Sequence, residues 1–160
     1  MKLSTPVAIS ALTLILALGG CEGRPATGGP ARVEATDALC RPTIAGRNRT
    51  GCYLTLTASQ NDRLKAVSSP AAGQGQIHEM TMTGDVMSMR ELPDGLPLPA
   101  GEPVSLQPGG NHLMLIDLNQ PLPAGTSVLL TLTFEHAEPL TVRARVDQPA
   151  LPGASHKEHG

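Results

Sequence analysis

The clearest pattern in the sequence is an alternation of apolar and polar residues over short runs. In residues 127–134 every second residue is apolar, from Val128 to Phe134, and residues 52–57 and 140–146 alternate in the same way. A period of two places alternate side chains on opposite faces of a β-strand. Turn signals rich in Gly and Pro separate the runs, at residues 94–95, 99–101, 108–110 and 123–125. No window shows a helical period, so the pattern predicts an all-β sandwich or barrel of short strands.

The first part of the chain has the features of a bacterial lipoprotein signal. Lys2 supplies positive charge, and the apolar run at residues 7–18 is too short to span a bilayer comfortably. Small residues then precede Cys21. We expect residues 1–20 to be a removed signal peptide and Cys21 to be lipidated, which would anchor the protein to a membrane. The alternative is an ordinary secretory signal with a cysteine near the cleavage site.

The composition divides the rest of the chain into a tether, one domain and a tail. Residues 21–32 are rich in Gly and Pro and are expected to form a flexible linker. Residues 33–147 hold the alternating runs, and a chain of 160 residues leaves room for one such domain. Residues 148–160 are polar and are expected to be a disordered tail. The tail carries His156 and His159, and the alternative is a tail that scavenges metal ions.

Charge and aromatic content exclude several classes of function. The net charge is −2 and no basic patch is evident, which argues against a nucleic-acid partner. Tyr53 and Phe134 are the only aromatic residues, so stacking platforms for bases are not expected. We find no nucleophile elbow, metalloprotease helix motif or evident carboxylate pair, and we therefore expect a protein that is not an enzyme.

Two cysteines remain in the domain, Cys40 and Cys52. The compartment outside the inner membrane is oxidising, which favours a disulfide between them. The alternative is a pair of small buried thiols that never meet, since spacing along the chain cannot show that two side chains face each other.

The methionines form the most distinctive cluster in the sequence. After Met1, all of them lie between Met80 and Met114, and His78 and His112 lie beside them. Methionine that fills a core would be scattered among the apolar strands. The five residues are Met80, Met82, Met87, Met89 and Met114.

The spacing within this cluster is two residues, which places both members of a pair on one face of a strand. Three such pairs are present: His78 with Met80, Met87 with Met89, and His112 with Met114. Gly84-Asp85 is a plausible tight turn, so the first two strands are predicted to form a hairpin. Three strands could therefore present imidazole and thioether groups on a common side.

Thioether sulfur is a soft, neutral ligand that suits Cu(I), whereas Ca²⁺ and Mg²⁺ prefer oxygen. A blue-copper electron carrier would need a Cys thiolate in the site. Cys40 and Cys52 both lie well before the cluster, which argues against that class. The residues therefore favour a Cu(I) site of His and Met, with a methionine-rich apolar patch that binds a partner as the alternative.

The spacing resembles the motif of the periplasmic copper-A chaperone family, PCu(A)C: a His, ten residues, a Met, about twenty-one residues, then His-x-Met. Here ten residues separate His78 from Met89, and 22 residues precede His112-Leu113-Met114. Residues 98–101 (LPAG) and 108–115 (PGGNHLML) also resemble family sequence. The resemblance covers most of residues 33–147.

The resemblance implies a cupredoxin-like Greek-key β-sandwich and a Cu(I) metallochaperone in the bacterial cell envelope, facing the periplasm. It implies delivery of copper to an acceptor such as the CuA subunit of cytochrome c oxidase or a Sco-type thiol protein. The implied Cu(I) ligands are His78, Met89, His112 and Met114, with Met80 and Met87 as accessory ligands by proximity. The alternatives are a copper storage or detoxification lipoprotein, and an interaction module that uses the methionines without metal.

Overall fold

The computed structural model describes residues 29–149, and within them the chain forms ten β-strands. No helix in this part of the chain is long and apolar enough to cross a membrane. The expected signal peptide, Cys21 and the tail with His156 and His159 lie outside the described residues. The strands are β1 Val33–Cys40, β2 Arg49–Ala58, β3 Asp62–Ser68, β4 Ala72–Thr83, β5 Val86–Glu91, β6 Leu96–Leu98, β7 Pro103–Leu106, β8 His112–Leu118, β9 Ser127–Phe134 and β10 Leu140–Val146.

The predicted alternation matches the observed strands closely in the second half of the chain. β9 and β10 have the bounds that the pattern predicts, and every second residue of β9 from Val128 to Phe134 is buried. The run predicted at residues 52–57 lies inside β2, where Thr50 to Ala58 are buried at every second position. The all-β prediction is therefore confirmed, and its physical cause is burial of one face of each strand.

All ten strands belong to one sheet, in the order β5-β4-β8-β2-β1-β10-β9-β3-β6, and β7 pairs with the second half of β2. β1 pairs with β10 in parallel, and the other strand pairs are antiparallel. Neighbours in the sheet are mostly distant in the sequence. Of the strands that carry the predicted ligands, β4 and β5 pair as sequence neighbours, whereas β8 joins β4 from a later part of the chain.

The sheet bends back on itself and encloses an aliphatic core. β3 packs against β4 so closely that a side chain at Gly75 would collide with the backbone carbonyl of Val67. Only glycine permits this approach between the two strands. The residues that are almost fully enclosed are mainly leucines: Leu54, Leu56, Leu64, Leu98, Leu113, Leu115, Leu130 and Leu132, together with Val146, Cys40 and Cys52.

The two cysteines lie directly opposite each other on β1 and β2, and the structure joins them in a disulfide. Both side chains are fully buried in the core. On its other side Cys52 pairs with Leu113 of β8, so the disulfide lies next to the strand that carries His112. The bond therefore braces the part of the sheet that supports the candidate site.

Replacing both Cys40 and Cys52 with alanine is expected to lower the free energy of unfolding by about 3 kcal/mol. The disulfide joins residues 12 apart in the sequence, and it restricts the unfolded chain by closing the loop between them. Urea unfolding followed by circular dichroism would measure the loss. A reducing agent should destabilise the parent protein by a similar amount and leave the double variant unchanged. Equal urea midpoints for parent and variant would contradict the expectation.

Candidate metal centre

Antiparallel pairing aligns the predicted ligands across three neighbouring strands. His78 of β4 lies opposite His112 of β8. Directly opposite residues in a sheet project to the same face, and so do residues two apart on one strand. Other pairs on this face are His78 with Glu91, Gln76 with Met114, Met80 with Met89, and Met82 with Met87. We call the face that bears His78, His112 and the five methionines the methionine face.

The predicted hairpin is confirmed, because β4 and β5 pair in antiparallel register around a turn at Gly84-Asp85. The left-handed φ of 62° at Gly84 suits this turn. The opposite face of β4 and β8 carries Ile77 and Leu113, which are buried in the core. Core packing on one side therefore fixes the methionine face on the other.

His78 and His112 form the centre of the methionine face. Their ring centres are 5.6 Å apart, and the ring planes are nearly perpendicular at 78°. Both residues are buried, with 8% and 7% of their surface exposed. This separation leaves room for one ion bound about 2 Å from a nitrogen of each ring.

A backbone contact orients the ring of His112. Its Nδ1 lies 3.0 Å from the carbonyl oxygen of Gly110 and donates a hydrogen bond to it. The Nε2 atom therefore keeps its lone pair. Histidines that bind metals commonly donate their other ring N–H to a carbonyl in this way, which fixes the tautomer and the ring orientation.

A side-chain contact orients the ring of His78. Its Nε2 lies 2.9 Å from Oε1 of Gln76 and donates a hydrogen bond to that oxygen. Nδ1 thus carries the lone pair, and it is buried without a hydrogen-bond partner among residues 29–149. A buried polar atom without a partner is uncommon, because its lost hydration is not compensated. A bound cation would compensate it.

Burial lowers the pKa of His78, and the nearby His112 lowers it further, while Glu91 acts in the opposite direction. Glu91 lies directly opposite His78 on β5. The net effect favours the neutral imidazole, which is the form that binds a metal ion.

Met89 and Met114 each lie one diagonal step from His78, since they face Met80 and Gln76 on β4. Diagonal neighbours are about 7 to 8 Å apart, within reach of long side chains. Met89 is 52% exposed, whereas Met114 is partly buried. A Cβ at Gly51 would lie 3.2 Å from the hydroxyl oxygen of Tyr53 and in ordinary contact with the Met114 sulfur, so glycine there leaves room mainly for the tyrosine.

No three side chains of His, Cys, Asp or Glu within residues 29–149 come together in a group that could hold an ion. The candidate ligands on the methionine face are two imidazoles and several thioethers, and Glu91, opposite His78, is the one carboxylate that β4, β5 and β8 place there. Sequence reasoning missed Gln76 and Gly110, which orient the two rings. Gln76 could have been found from its position two residues before His78, on the same face of the strand.

A basic depression lies beside His112 and Met114. Its volume is about 260 Å³, and Arg41, Arg47 and Arg49 line it. No acidic residue of the described part of the chain lines it. Arg41 and Arg47 lie in the connection between β1 and β2, and Arg49 begins β2; the sequence offered no signal that groups them beside the histidines.

Tyr53 of β2 closes one side of this depression. Its ring centre is 6.5 Å from that of His112, and the guanidinium carbon of Arg41 is 6.0 Å from the tyrosine ring centre. Burial raises the pKa of Tyr53, and the charge of Arg41 opposes this. The tyrosine therefore remains a neutral phenol at neutral pH.

Comparison with known proteins finds relatives in sequence and in structure. The LpqE-like lipoprotein family matches residues 33–146. A protein of Leifsonia xyli subsp. xyli that is named as a lipoprotein, Lxx21020, is 29% identical over 137 residues, which are 79% of this chain and 80% of that protein. Both descriptions agree with the lipoprotein signal expected from the sequence.

The structural relatives are PCuAC domains. The copper-bound PCuAC domain from PmoF2 has a TM-score of 0.60 and 28% identity, covering 76% of this chain and 95% of that one. The Cu(I) form of DR1885 from Deinococcus radiodurans has a TM-score of 0.56 and 28% identity, covering 80% and 82%. The predicted resemblance and the predicted cupredoxin-like fold are confirmed.

Proposed function

This chain belongs to the LpqE-like lipoprotein family, its domain is of the PCuAC type, and we propose that it is a Cu(I) metallochaperone of the bacterial cell envelope. His78, Met89, His112 and Met114 are the proposed ligands. The protein would face the periplasm, anchored through Cys21. It would act by binding and releasing a metal ion and not as an enzyme.

The observation that carries this proposal is the pair of histidines on the methionine face. Each ring donates one hydrogen bond, His78 to Gln76 and His112 to Gly110, and keeps one lone pair; the His78 lone pair has no hydrogen-bond partner in the described residues. Met89 and Met114 lie diagonally from His78 on either side. Two imidazoles with two thioethers make a neutral, soft ligand set that suits Cu(I).

Neutral ligands also suit a carrier that must release its cargo. An acceptor with thiolate ligands would bind Cu(I) more strongly, so copper would pass to it by exchange of ligands. We propose that the acceptor is an envelope copper protein, such as the CuA subunit of cytochrome c oxidase or a Sco-type thiol protein. The arginines beside His112 favour an acceptor with acidic residues around its own site.

A titration of residues 22–160 with Cu(I) under anaerobic, reducing conditions tests the proposal. X-ray absorption at the copper edge should show mixed nitrogen and sulfur ligation at the first equivalent. A competing Cu(I) chelator would give the affinity. If the protein fails to retain Cu(I) against a weak chelator, the chaperone function is wrong.

Replacing Met89 with leucine is expected to weaken Cu(I) binding by about tenfold. A thioether has no proton to lose, so the factor should be the same in mildly acidic and mildly alkaline solution. Leucine keeps the size and apolar character of the side chain, and the variant should fold like the parent. Unchanged Cu(I) affinity in this variant would remove Met89 from the ligand set.

A further inference from the structure

The outer end of the β4–β5 hairpin carries two pairs of methionines beyond the histidines. Met82 lies directly opposite Met87, and Met80 lies directly opposite Met89. Met82 is 63% exposed, and Met87 and Met89 are each 52% exposed. Every residue of β5 is exposed, so this strand contributes its side chains to the surface and not to the core.

Core packing does not explain these methionines. The buried hydrophobic residues of the described part are mainly Leu, Val and Ala, and none of them is Met. All five methionines of residues 29–149 lie on the methionine face. The chain therefore uses other residues wherever it needs an apolar side chain in the core, and it uses methionine on this face, where none of the five is fully buried.

The distances within the hairpin suit a shared ion. The Cβ atoms of directly opposite residues in an antiparallel pair are about 5 Å apart, which lets two flexible thioether side chains converge. Successive pairs on the same face are about 7 Å apart along the strand. Met80 is thus within reach of both the Met82–Met87 pair and Met89. Glu79 and Arg90 pair with each other on the opposite face, and Glu91, which is on the methionine face, lies opposite His78 and not beside Met82 and Met87.

We propose that Met82 and Met87, with Met80, form a second Cu(I) site at the end of the hairpin. This inference rests on the proposed function and extends it. The site has thioether ligands alone, so it should bind Cu(I) more weakly than the site with two imidazoles. Copper moves between the sites by ligand exchange, in which a bond to the Met82 sulfur breaks as one to the Met89 sulfur forms. The ion remains Cu(I) throughout, and no proton is transferred.

The test uses residues 22–160 with the methionine methyl groups labelled with ¹³C. Titration with Ag(I), a stable analogue of Cu(I), is followed by NMR and repeated anaerobically with Cu(I). The first equivalent should shift the methyl signals of Met89 and Met114. The second equivalent should shift those of Met80, Met82 and Met87. The tail histidines do not contribute to this signal, because only methionine is observed.

The matched variant carries Met82→Leu and Met87→Leu, which keep the apolar surface and remove only the sulfur. Its response to the first equivalent should equal that of the parent, and the later shift of Met80 should be lost. Val86→Leu, at the same hairpin end, should leave both responses intact. If Met82 and Met87 do not shift while Met89 and Met114 do, the second site is wrong and the proposed function stands. If no methyl shifts at all, the proposed function itself fails.

Discussion

Replacing His112 with alanine and Met114 with leucine together is expected to lower the affinity for Cu(I) by about a hundredfold or more. The two substitutions remove one imidazole and one thioether from the four proposed ligands. It also removes the partner that lies opposite His78 across the β4–β8 pair. His78 would then hold the ion with Met89 and water, a weaker set of ligands for Cu(I).

Competition with a Cu(I) chelator measures the loss, and X-ray absorption should show fewer sulfur neighbours around any copper that remains. His136→Ala is the matched control, because His136 is exposed and lies in the connection between β9 and β10. That variant should bind like the parent. The site assignment would be contradicted if the double variant retained the parent's affinity while its circular dichroism spectrum stayed unchanged.

The residues of the candidate site could be chosen from the sequence because strand geometry is local. A spacing of two residues places His112 and Met114 on one face of a strand whatever the rest of the fold does. Soft-ligand chemistry then separates these residues from ordinary core residues. Which strands lie side by side is not a local property. The pairing of His78 with His112 depends on a β4–β8 contact that the sequence pattern alone does not specify.

Several strands were not located from the sequence, each for a physical reason. β6 has three residues and β7 has four, and both contain proline, so neither shows a periodic pattern. β1 is irregular between Thr36 and Leu39, where Asp37 has a left-handed φ of 56°. A bulge of this kind breaks the alternation on which the prediction depends. Cys40 lies opposite Cys52 only because of the β1–β2 register that follows this bulge, so the pairing could not be read from the sequence.

The sequence also did not predict the role of Asp62, a buried carboxylate near the opposite end of the sheet. Asp62 begins β3, and its buried carboxylate binds the connection between β9 and β10. Oδ1 accepts hydrogen bonds at 2.7 to 3.1 Å and Oδ2 accepts one at 2.9 Å. The donors are the backbone N–H groups of Arg63, Glu135, His136 and Ala137. Burial alone would raise the pKa of Asp62, but these four bonds outweigh it and lower the pKa.

Replacing Asp62 with alanine is expected to lower the free energy of unfolding by about 3 kcal/mol, because backbone donors lose a charged acceptor. Asparagine should restore only part of the loss, since its Oδ1 can still accept three of these hydrogen bonds, whereas its neutral NH₂ group cannot accept the one from Ala137 N–H. Urea unfolding at neutral pH measures both variants. Glu138→Ala removes an exposed carboxylate from the same connection and should be nearly neutral.

The pH dependence of the free energy of unfolding provides an independent check on the role of Asp62. A carboxyl group whose pKa is lower in the folded state stabilises the protein above its unfolded pKa, which is about 3.9. That stability is lost as the pH falls through the lower, folded pKa. The difference between parent and Asp62→Asn should therefore be largest near neutral pH and should shrink below about pH 4. A difference that stayed constant into acid would mean that the carboxylate charge contributes nothing, and that Asp62 acts only through the shape of its side chain.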